Sequence, residues 1–144
     1  MQATSAVHVL ATTGPGTRAA VRAATALAKG LESRVHVIAA RQRPSVWSLH
    51  QDSVSVREFA DEIRQWPEAR SARIDVLPCL CRRPSDVVQL LTRQAVIVIG
   101  GQSHRWWPSR EQRLAHTLTA AGYRVQFVHA DEEPADVVQW ALAE

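Results

Sequence analysis

The sequence predicts an α/β fold: a doubly wound, five-stranded, mainly parallel sheet with helices on both faces, plus a short C-terminal helix. Three observations carry this. Short apolar segments of strand character alternate with stretches of helical periodicity along the chain. One of them, Ala95-Val-Ile-Val-Ile99, is β-branched and apolar without interruption, as a strand buried on both faces must be. Strand–helix–strand units close right-handed, which makes the sheet parallel and puts helices on both sides. Four parallel strands with the last at an edge is the variant of this fold. The 144 residues, 16.0 kDa, suit one domain spanning 1–144.

Each element has its own signal. Ala6-Val-His-Val-Leu-Ala11 reads as the first strand, stopped by the turn Thr12-Thr-Gly-Pro-Gly16. Ala20, Ala23, Ala24, Leu27, Ala28 and Leu31 recur at helical spacing, with Thr17 the expected N-cap. Val35 to Ala40 is the second strand. Val56, Phe59, Ala60, Ile63 and Trp66 form a helix face that ends near Pro67. Arg73 to Leu77 alternates as the third strand, and Pro84-Ser-Asp86 opens a helix through Leu91. After the fourth strand come Gly100-Gly101 and a polar loop to Ser109. A helix from Arg110 to Ala121 follows, closed by Gly122. Tyr123 to His129 is the fifth strand, and Pro134 to Ala143 the terminal helix, with acids ahead of it where the helix field favours them.

Composition narrows the function classes. Hydrophobic residues make up 46% and charged residues 22%, which is enough apolar surface for a packed core without disulfides or a metal. No apolar run is long enough to cross a bilayer, and Met1 to Thr13 lacks the pattern of a signal peptide, so the expectation is a cytoplasmic protein with no membrane partner. The net charge of +3 divides as +5 over residues 1–51, zero over 52–93 and −2 over 94–144. That gradient contains no dense basic tract, so nucleic acid is not an expected partner. Cys79 and Cys81 share one face of a strand end and make a poor zinc site alone, and the six histidines show no ligand spacing, so no metal is expected. His8, His36 and His129 read as strand residues. There is no Gly-x-Ser-x-Gly elbow and no carboxylate ending a central strand, so no catalytic residues are assigned and the chain is not expected to be an enzyme.

Ligands of such folds sit at the carboxyl ends of the strands, where strand order reverses. The candidate binding residues are therefore Thr12, Thr13 and Gly14 after strand one, Ala40 after strand two, and Gly100, Gly101, Ser103, His104 and Arg105 after strand four. Two glycines after a buried strand allow close backbone approach, while Ser103, His104 and Arg105 offer donors to an anion. The same glycines also serve simply to turn the chain. Neither stretch carries a P-loop lysine or a Gly-x-Gly-x-x-Gly fingerprint. Trp106-Trp107-Pro108 lies in the same loop, either docked on the sheet edge and a helix end or presented to a protein partner. With polar neighbours on both sides, at least one ring is expected to be exposed.

With this order in place, the chain resembles the universal stress protein family over about residues 6–129. The segments that carry the resemblance are the alanine-rich Arg18–Leu31 helix leading into Val35–Ala40, the stretch Arg83-Pro-Ser-Asp-Val87, Ala95–Gly100, and Tyr123–Val128. The second of these is similar to the Gly-x-Pro element that opens the family's third helix. The resemblance implies a stress-response module, and a homodimer formed through the last strand. Departures bear on the ligand. Nucleotide-binding members carry an aspartate at the end of strand one, where Thr12 or Thr13 stands here. They also carry Gly-x2-Gly-x9-Gly-Ser/Thr after strand four; Gly100 is kept, Ser103 replaces the second glycine, and Glu111-Gln112 lies about where the last Gly-Ser belongs. Arg82 replaces the glycine of Gly-x-Pro, and the terminal helix runs past the family's usual end. A glutamate at a phosphate cradle repels the ligand. The expectation is no tightly held ATP and no cofactor, with an adenine nucleotide in a divergent crevice as the alternative.

Overall fold

A computed structural model describes residues 6–42, 49–70, 74–81, 84–102 and 108–130. Five strands form one parallel sheet: β1 (Val7–Leu10), β2 (Val35–Gln42), β3 (Ile74–Cys81), β4 (Val96–Gly101) and β5 (Arg124–His129). Their order is β3-β2-β1-β4-β5, with every neighbouring pair parallel. The chain therefore winds outward from β1 in one direction through β2 and β3, then crosses back to β4 and β5. The reversal falls between β1 and β4. Both edges, β3 and β5, are full-length strands, so the variant with four parallel strands is not the one adopted.

Strand periodicity explains the two layers. Alternate side chains go to opposite faces, so Val7 and Val9 of β1 join Val35, Val37, Ala39 and Val98 on one face. Leu10 joins Ile38, Ile97 and Ile99 on the other. The first face is covered by α1 (Gly14–Leu31) and α2 (Leu49–Gln65). Helix α1 meets the sheet through Ala20, Val21, Ala24 and Ala28, residues small enough to let its axis settle close to β1 and β4. The one-turn α3 (Pro67–Arg70) is tied to α1 through Glu68, whose Oε1 lies 3.4 Å from Arg18 Nε and 3.3 Å from Arg22 Nε. Burial pushes the Glu68 carboxyl up, but a backbone hydrogen bond and the two arginines outweigh it and hold it below the usual range.

The second face is covered by α4 (Arg110–Ala120), through Ala115 and Leu118, and by a 3-10 helix, Pro84–Leu90, with Val87 and then Leu91. The sequence predicted an ordinary helix at Pro84–Leu91. A tight seven-residue 3-10 element is adopted instead, and it leaves Leu77 and Leu90 exposed at the β3 side. Two other expectations are corrected. The N-cap of α1 is Thr13, not Thr17, because Thr13 Oγ1 accepts from Gly16 N at 3.1 Å while Thr17 is wholly buried one turn on. Strand β3 runs to Cys81 rather than stopping at Leu77, which leaves Cys79 and Cys81 at a strand end as expected. The terminal helix expected at Pro134–Ala143 lies outside the described residues.

Candidate functional site

The carboxyl ends of β1 and β4 stand level, Leu10 opposite Ile99 in register, and the chain leaves both at the point where strand order reverses. From β1 it passes through Ala11 and Thr12 directly into the first turn of α1. Thr12 is the knot of this corner. Its backbone N–H donates to Thr17 Oγ1 at 2.8 Å, and its hydroxyl donates to Gly100 O at 2.5 Å. Thr17 N–H donates to Thr13 O at 2.9 Å. The hydroxyl oxygens of Thr12, Thr13 and Thr17 thus each bond backbone of the same corner.

Those bonds draw Gly16 onto Gly100. A Cβ built at Gly16 would meet the carbonyl group of Gly100 and lie 2.8 Å from Thr12 Oγ1; one built at Gly100 would meet the Gly16 carbonyl and lie 3.2 Å from Ala20 N. Two backbones touch where each lacks a side chain. Gly14, by contrast, has nothing within 4 Å of its Cβ position.

Beyond Gly100 the strand ends at Gly101, which is buried beneath Glu111. The Glu111 Cβ and Cγ lie 2.6 and 2.5 Å from the place a Gly101 Cβ would occupy. Glu111 belongs to the first turn of α4, and that turn is fixed by a capping box. Ser109 Oγ accepts from Gln112 N at 3.1 Å, and Gln112 Oε1 accepts from Ser109 N at 2.7 Å.

Of the residues singled out from the sequence, Thr12, Thr13, Gly14, Gly100 and Gly101 come together at this one end of the sheet. Ala40 sits further across, in β2 opposite Cys79. Ser103, His104, Arg105, Trp106 and Trp107 lie outside the described residues. Sequence reasoning saw Gly16 only as part of a turn and passed over Ser109. For Ser109 a signal exists, since Ser-x-x-Gln ahead of an apolar periodicity is a capping box. For the Gly16–Gly100 contact there is none, because only the fold brings residues 84 positions apart together.

A second cluster lies at the opposite end of the sheet. His8 and His36 are register partners on β1 and β2, with ring centroids 5.4 Å apart, and Asp75 follows on β3 with its carboxylate 3.7 Å from His36 Nδ1. His8 is buried and neither ring nitrogen has a hydrogen-bond partner. Burial, then the neighbouring His36, lowers its pKa. Among the described residues no group of three His, Cys, Asp or Glu could hold a metal, and no helix is long and apolar enough to cross a membrane.

No family model and no curated protein matches the chain. A solved structure does: a universal stress protein in complex with cAMP, 17% identical, with a TM-score of 0.55 over 90% of this chain and 99% of that one. The α/β architecture of this chain is the fold of that protein. The resemblance read from the sequence is matched at the level of fold.

Proposed function

We propose that this chain is a non-enzymatic, cytoplasmic regulatory module of universal stress type that does not hold ATP tightly. The contact between Gly16 and Gly100 carries the reading. At the switch point of a parallel sheet, exposed backbone is what receives a phosphate. Here that backbone is pressed against backbone, with the Thr12 hydroxyl engaged beneath it. An adenine nucleotide is the alternative ligand, favoured by the cAMP complex of the structural neighbour. Calorimetry with ATP, ADP, AMP and cyclic nucleotides tests the choice. The expected outcome is no binding in the micromolar range; micromolar affinity for any of them replaces this reading with the nucleotide-binding one.

The same proposal makes the module a homodimer through β5. This strand is an edge, and Val125, Phe127 and Val128 are only half-buried on it. A two-fold axis beside such an edge pairs it antiparallel with its own copy. The Trp106–Trp107 stretch is the proposed surface for a different protein partner.

A further inference from the structure

We infer that Arg64 and Pro78 close the β3 edge of the sheet to strand addition, so that another chain can extend the sheet at β5 alone. This is the edge that the proposed dimer does not use, and its closure holds whether or not β5 pairs.

The direction of the β3 peptide groups follows from one hydrogen bond and the register. Ile38 O accepts from Ala11 N at 3.0 Å, so Ile38 turns its peptide groups towards β1. Those groups alternate sides along a strand, and Val37 and Ala39 therefore face β3. In a parallel ladder only one residue of each register pair addresses the other strand. The register partners of Val37 and Ala39 are Val76 and Pro78, whose own peptide groups consequently face away from the sheet.

Both outward positions are spoiled for pairing. Arg64, in the last turn of α2, reaches the edge, and its Nη2 donates to Val76 O at 2.9 Å. Nη1 of the same guanidinium lies 2.6 Å from Asp61 Oδ1, one turn back, which steadies it there. A strand laid against β3 would need that carbonyl as an acceptor and would have to displace the guanidinium to reach it. At Pro78 there is no N–H to give. Two successive rungs in the middle of the eight-residue strand are thus incomplete, one in its acceptor and one in its donor. Outward placement also explains why β3 runs on through a proline, since the ladder to β2 never uses the missing donor. Leu77, between the two positions, is exposed on the adjoining face. An open edge beside such a residue is a template for unwanted pairing.

Strand β5 has no such guard. Val96 N donates to Ala6 O at 2.9 Å, so Val96 and Val98 face β1, and Ile97 and Ile99 face β5. Their register partners Val125 and Phe127 present both N–H and C=O outward. Among the described residues no side chain bonds to the backbone of either.

The test compares the full chain as wild type, Arg64→Met, Pro78→Val and the double variant. Methionine keeps much of the arginine stem without its donors, and valine restores an N–H in a strand-forming residue. Sedimentation over a concentration series reads assembly, circular dichroism confirms folding, and amide hydrogen exchange reads the Val76 N–H. That outward amide is expected to exchange freely in the wild type, whatever happens at β5. In the double variant the mean mass is expected to rise at least about twofold over the wild type at equal concentration, and Val76 exchange to slow at least about tenfold. Each single variant moves the same way by less, and decides the matter should the double variant not fold. Mere loss of packing has the opposite sign, because a loosened edge exchanges faster. Folded variants with the wild-type mass and unchanged Val76 exchange overturn the inference, as does a Val76 amide already protected in the wild type. A wild-type monomer removes only the β5 dimer and leaves the closure of β3 in force.

Discussion

At Gly16 one methyl group decides whether α1 can sit on β4. A Cβ there would fall 2.8 Å from Gly100 C and from Thr12 Oγ1, closer than packed carbon atoms come. Helix α1 would have to back away from the sheet, opening the Thr12–Gly100 hydrogen bond as it moved. Gly16→Ala is expected to cost about 1–3 kcal/mol by chemical denaturation. Gly14→Ala, with open space at its Cβ position, should leave the midpoint nearly unchanged. Equal midpoints for the two variants would refute the close contact. His8 makes a different single-residue prediction. Its pKa in the folded chain is below the ordinary 6.5, so above that value the imidazole is neutral in both states and contributes no pH dependence. Below it the unfolded chain takes up a proton that the folded chain refuses, and stability falls as pH drops. Replacing His8 by Val should shrink the loss of melting temperature between neutral and mildly acidic buffer. An unchanged slope would show that His8 titrates as freely folded as unfolded.

Elements rest on their ends. Helix α4 depends on Ser109, a buried cap within a complete capping box, and Ser109→Ala is expected to remove about 1 kcal/mol. At the other extreme, α1 closes on Glu32 at φ 53°, a left-handed residue whose N–H turns back to Ala28 O and Lys29 O. A side chain is strained there, so Glu32→Gly should raise stability by up to about 1 kcal/mol, measured as a higher denaturation midpoint. Most elements were legible in the sequence because one physical signal dominated each. Val96 to Ile99 could only be a central strand, and the alanine spacing of α1 could only be a helix lying flat on a sheet. The 3-10 helix at Pro84–Leu90 was not legible, since Pro84-Ser-Asp86 announces a helix start without fixing how tightly the following turns wind. The start of α1 was misplaced by a turn because Thr13 and Thr17 are both good caps. Only the fold shows that Thr17 is needed inside, as acceptor for Thr12.

At the scale of the whole molecule, the order β3-β2-β1-β4-β5 decides what the chain can offer to others. The alternation of elements made a parallel doubly wound sheet readable from the sequence, and with it the end of the sheet at which a site would lie. How that site is filled was not readable, because Thr12 and Gly16 meet Gly100 only through the crossover. The order also leaves β5 with one unpaired edge. Sedimentation at micromolar concentration is expected to give a species of twice the 16.0 kDa chain mass. A monomer at that concentration removes the strand-paired dimer from the proposal.

The facing glycines also bear on how such a chain can change over generations. A larger residue at either position is penalised while its partner is unchanged. Enlarging both only brings two added groups into a space that holds none. The pair has no stepwise exit: no sequence of single tolerated replacements leads away from it while α1 stays on β4. Exposed neighbours such as Gly14 and Pro15 are under no such bond and can be rewritten one side chain at a time. A lineage built on this contact can lose the recognisable spelling of its motifs and still be held to the same crossover.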